Sequence, residues 1–272
     1  MISFEHVLVE GWQAAIRGMR NPMNSWTKSD SLFSNPWDYD LYEDKNTFRN
    51  ICDGWVDDVK NEELITHTMP TLSTFSSSEA FLGKNDIDLM KRLASAGSVH
   101  AKYRRMINVT MDITAPLYWW KEFDTYKVGT VSNSCSTMHK IHAKKFTLED
   151  FSYEHLIPLN AGNLEDVPTI PIDKGYLKAP LDILKMQIDM LNVCRERYLK
   201  TKDKMYWWQM IQLLPSSYNQ RRTVKMNYEV LSSIYKYRKD HKLDEWHGLC
   251  KLIRVLPLSV IITGEEDENG DV

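Results

Sequence analysis

Along the chain, segments whose apolar positions recur every second residue alternate with segments where they recur every three or four. Residues 2–9, ISFEHVLV, favour a strand, and Trp12–Met19 follows as a helix with Trp12, Ile16 and Met19 on one face. From Asn21 to Ser78 the pattern breaks: NPMNSW, SNPWDYD and STFSSSE supply turn residues, so this stretch reads as an irregular insertion around a short helix near Phe48–Val59. Periodicity returns in NDIDLMKRLASAG, with Asn85 or Asp86 as the cap, Ile87, Leu89, Met90 and Leu93 as the apolar positions, and Gly97 as the stop. Met106–Thr114 alternates and is β-branched, which predicts a strand, and Pro116 then opens a helix, PLYWWKEFDTYK.

After a polar stretch, Asp182–Lys200 predicts a long amphipathic helix with Leu184, Ile188, Leu191 and Tyr198 along its seam. An aromatic segment, MYWWQMIQLLP, ends at Pro215. Tyr218–Lys225 is extended, a helix covers Asn227–Lys239, and a last helix covers Leu243–Leu256. Helices outnumber strands, which predicts an α+β fold. Without repeats or a clear linker, residues 1–263 read as a single domain, and 264–272 as an acidic disordered tail.

Composition narrows the class. The 272 residues are 43% apolar and 26% charged, with 11 Gly and 10 Pro, which excludes collagen-like and low-complexity chains. No apolar run approaches a membrane span, and Glu5, His6 and Glu10 interrupt any signal-peptide core, so a cytoplasmic globular protein is expected. The net charge is −3, and EEDENGDV alone holds five acids, leaving a body of about +2. That balance does not suggest nucleic-acid binding but suits a small anionic substrate such as a nucleotide. Cys52, Cys135, Cys194 and Cys250 form no CxxC pair and read as reduced thiols.

Neither GxGxxG, GxxxxGK[ST] nor GxSxG occurs, which argues against Rossmann, P-loop and serine-hydrolase chemistry. In NSCSTMHKIHAK, a helix would place Cys135, His139 and His142 on one face, where they would hold zinc or pair a thiol with a base. Lacking a fourth ligand and an orienting acid, the simpler reading is a buried small thiol beside two ordinary surface histidines, with no metal. The aromatic run Leu117, Tyr118, Trp119, Trp120 and Phe123 leads into Thr125, Tyr126, Lys127, Thr130, Ser132, Asn133, Ser134 and Ser136. Rings for stacking beside hydroxyls, an amide and a lysine suit a phosphorylated heterocycle, although a core helix followed by a polar loop has the same composition.

These segments, with LLPSSYNQRRTVKMNYEVLSSIYKYRKDHKLDEWHGL, resemble the flavin-dependent thymidylate synthases over roughly Asp86–Lys140 and Trp207–Leu256. The family pattern has a helix, a strand, Ala-Pro, an aromatic helix and RHRxxSxNExSxR. Here Asp88-Leu89-Met90 falls in the helix, Ala115-Pro116 is present, and Thr125–Thr130 stands where RHRxxS belongs, with Lys127 for an arginine and Thr130 for the serine. One extra residue then aligns Asn133 and Ser136 with the motif asparagine and second serine, while Ser134 replaces the acid and Met138 the last arginine; Lys140 is the nearest replacement cation. Leu214-Pro215, Asn227, Arg238 and Glu245-Trp246 match the later pattern.

The resemblance implies a central antiparallel sheet flanked by helices and conversion of dUMP to dTMP with FAD, methylenetetrahydrofolate and NADPH. It implies that Arg238 contacts the pyrimidine and acts in catalysis, that Asn227, Thr125, Tyr126, Lys127 and Arg105 contact the flavin, and that Thr130, Asn133, Ser134, Ser136 and Gln212 contact the nucleotide. Ile211 stands where the family has a phosphate-binding arginine; His100, Arg104, Arg221 and Arg222 are further candidates for the flavin and phosphate contacts. A homotetramer is also implied, with Trp119, Trp120, Trp207 and Trp208 available for subunit contacts as well as for the core. Rival readings are a relative acting on another pyrimidine nucleotide or carrying another one-carbon unit, and a non-catalytic or zinc-binding protein on the same scaffold.

Overall fold

The computed structural model describes residues 2–33, 76–77, 80–162, 166–173 and 176–265. The strands are β1 (Ser3–Glu10), β2 (Leu32–Phe33), β3 (Ser76–Ser77), β4 (Ala80–Phe81), β5 (Asn108–Pro116), β6 (Thr130–Ser134), β7 (Ile170–Asp173), β8 (Tyr176–Lys178) and β9 (Asn219–Asn227). The α-helices are α1 (Trp12–Arg20), α2 (Lys84–Ser95), α3 (Leu117–Phe123), α4 (Thr137–Lys140), α5 (Pro180–Thr201), α6 (Lys204–Leu213), α7 (Tyr228–Arg238), α8 (Asp244–Arg254) and α9 (Val260–Thr263). The main sheet runs β3-β1-β5-β9-β6, and its last four strands are antiparallel. β3 joins the edge in parallel, with Leu8 opposite Ser76. Along β5 the residues Val109, Met111, Ile113 and Ala115 are buried while those between are half-exposed, the alternation of a sheet covered on one face. No helix among the described residues is long and apolar enough to cross a membrane.

The chain divides into two compact units. The first comprises 1–4, 112–127 and 132–223; the second comprises 5–111, 128–131 and 224–272. In the first, α5 and α6 bury Leu184, Ile188, Leu191 and Met210 against Ile141, Phe146 and Phe151. Beside this core α3 stacks Trp119 on Phe123 with ring centroids 5.0 Å apart, and Trp120 donates its indole N–H to the Gln220 carbonyl at 2.9 Å. Trp119 and Trp120 are therefore core residues of their own unit, while Trp208 keeps 43% exposure. α3 is also shorter than the predicted PLYWWKEFDTYK: Pro116 closes β5 and precedes the helix, which ends at Phe123.

In the second unit, α1 begins after Gly11, whose φ of +98° and whose missing Cβ, 2.1 Å from the Met106 carbonyl oxygen, exclude any other residue. Trp12 meets Tyr228 edge-on at 5.5 Å, and the Tyr228 hydroxyl donates to the Pro257 carbonyl at 2.7 Å. α2 starts at Lys84, and neither Asn85 nor Asp86 caps it. The Asp30 carboxylate does so from far along the chain, accepting from the Asn85 and Asp86 N–H groups at 2.8 and 3.1 Å. Asp86 is instead fully buried, bound by the Arg20 Nε at 2.6 Å and by the hydroxyls of Ser29 and Ser31 at 2.7 Å each. Burial alone would raise its carboxyl; the Ser29, Ser31 and Arg20 bonds outweigh that and hold it below the usual carboxylate range. The helix expected near Phe48–Val59 lies outside the described residues.

Candidate functional site

In the second unit, β9 ends where α7 begins. Asn227 is the last strand residue and the N-cap of the helix, its Oδ1 accepting from the Val230 N–H at 3.0 Å. With Oδ1 so engaged, the amide Nδ2 is the donor it can offer elsewhere. Gly129 presses against that amide: a Cβ there would lie 2.9 Å from Nδ2, and its φ is +78°. Any side chain at Gly129 would displace Asn227, so one glycine fixes where the amide points. Next to it, the Thr130 hydroxyl is buried and has no hydrogen-bond partner. A buried hydroxyl left unpaired is an unfavourable arrangement for a protein by itself.

Arg238 is the last residue of α7, about 16 Å along the helix axis from Asn227. Its guanidinium lies over the Trp246 ring, 4.6 Å from the centroid. This packing directs a half-buried cation by a rigid face, and the C-terminal position on the helix favours its charge. Arg104 is buried and faces Glu229, with Nη1 3.5 Å from Oε2 and 3.4 Å from the Ser232 hydroxyl, while its Nε has no partner. Arg105 and His100 are exposed in the turn before β5 and at the end of the α2 connection.

The remaining candidates lie in the first unit, and the structure draws them together less. Thr125 donates its hydroxyl to the Glu122 carbonyl at 2.7 Å, Tyr126 tilts against Phe123 at 6.5 Å, and Lys127 is exposed. Asn133 and Ser134 are exposed on β6, a strand that the polar sequence there did not predict. Ser136 caps α4 by accepting from the His139 N–H at 3.2 Å, and Gln212 is exposed on α6. Two candidate arginines are engaged: Arg221 pairs with Asp112 at 2.6 Å, and Arg222 pairs with Asp124 at 2.7 Å while lying 4.2 Å over the Trp120 ring.

The shared helix face of Cys135, His139 and His142 does not form. α4 spans only Thr137–Lys140, so Cys135 precedes it, exposed and not buried as expected, and His142 follows it, with the His142 ring edge-on to Tyr198 at 4.9 Å. Among the described residues no three His, Cys, Asp or Glu side chains gather as a metal site.

No protein-family model matches the chain, and no curated protein matches it in sequence. Its fold does have solved counterparts. A flavin-dependent thymidylate synthase, ThyX from Helicobacter pylori, complexed with FAD and dUMP, superposes with a TM-score of 0.54 at 15% identity, over 95% of this chain and 98% of that one. A second structure of Helicobacter pylori ThyX with FAD and dUMP gives a TM-score of 0.54 at 14% identity, over 96% of this chain and 98% of that one. The α+β fold of this chain is thus that of the flavin-dependent thymidylate synthases.

Proposed function

We propose that this chain methylates a pyrimidine nucleotide, converting dUMP to dTMP with FAD, methylenetetrahydrofolate and NADPH. The observation that carries the reading is the pair of residues framing α7: Asn227, with its amide held by the cap and by Gly129, and Arg238, held over Trp246. Both stand where the family resemblance calls for them, in a chain whose fold matches that of ThyX over 95% of its length. The buried, unpaired Thr130 hydroxyl beside Gly129 supports a ligand there, since a bound polar group would supply the bond the protein leaves unmade. Asn227 with Thr125, Tyr126, Lys127 and Arg105 would hold the flavin; Thr130, Asn133, Ser134, Ser136 and Gln212 would hold the nucleotide.

When bound, reduced FAD supplies the redox chemistry of methyl transfer. The protein orients the pyrimidine and stabilises charge on its carbonyl, the task assigned to Arg238. A positively charged guanidinium fixed by an aromatic face is preorganised for this, because it needs no reorientation as charge develops. Residues Asn227 and Arg238 stand too far apart to grip one ring, so each addresses a different ligand or a different part of one. A homotetramer, in which neighbouring chains complete each site, is part of this reading and is measured by light scattering.

One observation favours a relative with altered specificity. Lys127 is exposed where the family has an arginine, and Arg104, Arg221 and Arg222 already face acidic partners. Replacement contacts for the substrate phosphate would then differ from the family's. Purified protein is expected to be yellow or to take up added FAD, and to release tritium from 5-labelled dUMP. A colourless protein that ignores FAD overturns both readings; flavin uptake without tritium release favours the altered substrate.

A further inference from the structure

Glu265 is the first of the acids that crowd the end of the sequence, and the second unit holds it in a ring of bonds. Gly264, in the left-handed region at φ +72°, ends α9, and Glu265 after it reaches both α7 and α8. Its Oε2 accepts from the Tyr235 hydroxyl and lies 3.5 Å from the Arg254 Nη2, while its Oε1 accepts from the Lys239 Nζ at 3.1 Å. Arg254 closes the ring by donating its Nε to the Tyr235 oxygen at 2.8 Å. The bonds from Tyr235 and Lys239 hold the Glu265 carboxyl below the usual carboxylate range. Burial first, and then Glu265, push the Tyr235 hydroxyl up, so it stays a donor.

Stability alone does not explain this arrangement. Arg254 is the last residue of α8 and Lys239 directly follows α7, and helix C-termini carry a partial negative charge that disfavours an acid nearby. Nor do the two ion pairs offset much: Lys239, Arg254 and Glu265 keep 41, 55 and 44% of their side-chain surface exposed, and pairs so exposed contribute little. What the ring secures is local. Tyr235 and Lys239 lie three residues before and one after Arg238, on the last turn of α7, and helix ends fray unless they are tied. Trp246 fixes where the Arg238 guanidinium lies, and the bonds to Glu265 fix the turn from which it springs.

We propose that Glu265 is a positioning residue for Arg238, tying the last turn of α7 to the end of α8 so that the guanidinium stays where the pyrimidine needs it. The inference rests on the role given to Arg238 in the proposed function, and adds to it a residue that touches neither substrate nor flavin.

The test is Glu265→Gln in the full chain, read by tritium release from 5-labelled dUMP and by amide hydrogen exchange. Turnover is expected to fall about 10-fold, with the KM for dUMP and the FAD affinity within about twofold of wild type. The urea midpoint stays near wild type, which separates positioning from lost stability. The amides of Lys239 and His241, bonded to the Tyr235 and Arg238 carbonyls, exchange faster, while that of Val230 at the helix start does not. A chain lacking residues 266–272 keeps Glu265 and turns over as wild type; a loss there equal to that of Glu265→Gln assigns the effect to the charge of those residues and overturns the proposal. Unchanged turnover or unchanged exchange in folded Glu265→Gln also overturns it, as does an equal loss of FAD affinity. Should that variant unfold, Tyr235→Phe, which keeps both ion pairs, decides: a partial loss of turnover supports the proposal, and wild-type turnover overturns it. A wild type that releases no tritium fails the dUMP reading instead, and exchange in Glu265→Gln then decides the anchoring by itself.

Discussion

The segment from Asn227 to Arg238 and the segment from Thr125 to Lys140 carry most of the candidate site residues, and the protein holds them by different means. At Asn227 and Arg238 each side chain is fixed by something independent of any ligand: a helix N-cap, a glycine pressed against the amide, an indole ring. Along Thr125–Lys140 the candidates are mostly exposed, on a short polar strand and a one-turn helix. The difference teaches where to expect preorganisation. Electrostatic stabilisation of developing charge needs groups fixed before reaction, whereas ligand contacts can be completed on binding.

The contrast has measurable consequences. The largest effect belongs to neither segment: Asp86→Ala leaves Arg20 buried without its partner and is expected to destabilise by about 3–5 kcal/mol in urea unfolding. Because the folded carboxyl is held low, its contribution is present above the ordinary carboxylate pKa. It disappears as pH falls through the lowered value, so the wild-type advantage over Asp86→Ala should shrink in acid. If Asp86→Ala instead spared stability and abolished flavin uptake, the structural role given to the buried Arg20–Asp86 pair would be wrong.

Arg238→Ala is expected to lower turnover by about 10²–10³-fold with an unchanged circular dichroism spectrum. An equal loss from Lys127→Ala would erase the contrast between the two segments. Asn227→Ala removes a cap and is expected to destabilise by about 1 kcal/mol. Asn227→Asp keeps the accepting oxygen but loses the amide donor, so its melting temperature should stay near wild type while FAD affinity falls ~10-fold. Ser136→Ala, at the cap of a single turn, is expected to change stability by only about 0.5 kcal/mol.

The smallest perturbation is a thiol label. Burial pushes the Cys250 thiol up to about 11, so at pH 8 it should react only after unfolding. Exposed Cys135, on the loosely held segment, should react in the folded protein. Protection of Cys135 on adding dUMP would show that the second segment closes over its ligand.

What could be seen in the sequence follows from where the determinants lie. α7 was legible because its apolar positions, its Asn227 cap and its terminal cation are all local. β5 and β9 were legible for the same reason: strand alternation is written in neighbouring residues. β6 was not, since TVSNS offers no apolar alternation and is a strand only because β9 lies alongside. The cap of α2 was misread because Asp30, over fifty residues earlier, displaces Asn85 and Asp86 from that task. Among the candidate site residues, Asn227 and Arg238 are singled out by their spacing in a family pattern, whereas the unpaired Thr130 hydroxyl and the close approach of Gly129 depend on packing that no local pattern encodes.

The pairing of β2 with β4 sets Leu32 opposite Phe81 and Phe33 opposite Ala80. The chain that joins Phe33 to Ala80 is therefore an excursion whose two ends this pairing holds together, like a clasp. Closure entropy grows only with the logarithm of ring size, so replacing this excursion by a short turn would change it by about 2 kcal/mol. Outside β3, length here is close to neutral in closure entropy for the rest of the chain. A domain inserted soon after Phe33 would leave the Asp30 cap, the Arg20–Asp86 pair and β3 in place, which makes it the natural position for grafting a reporter into this protein.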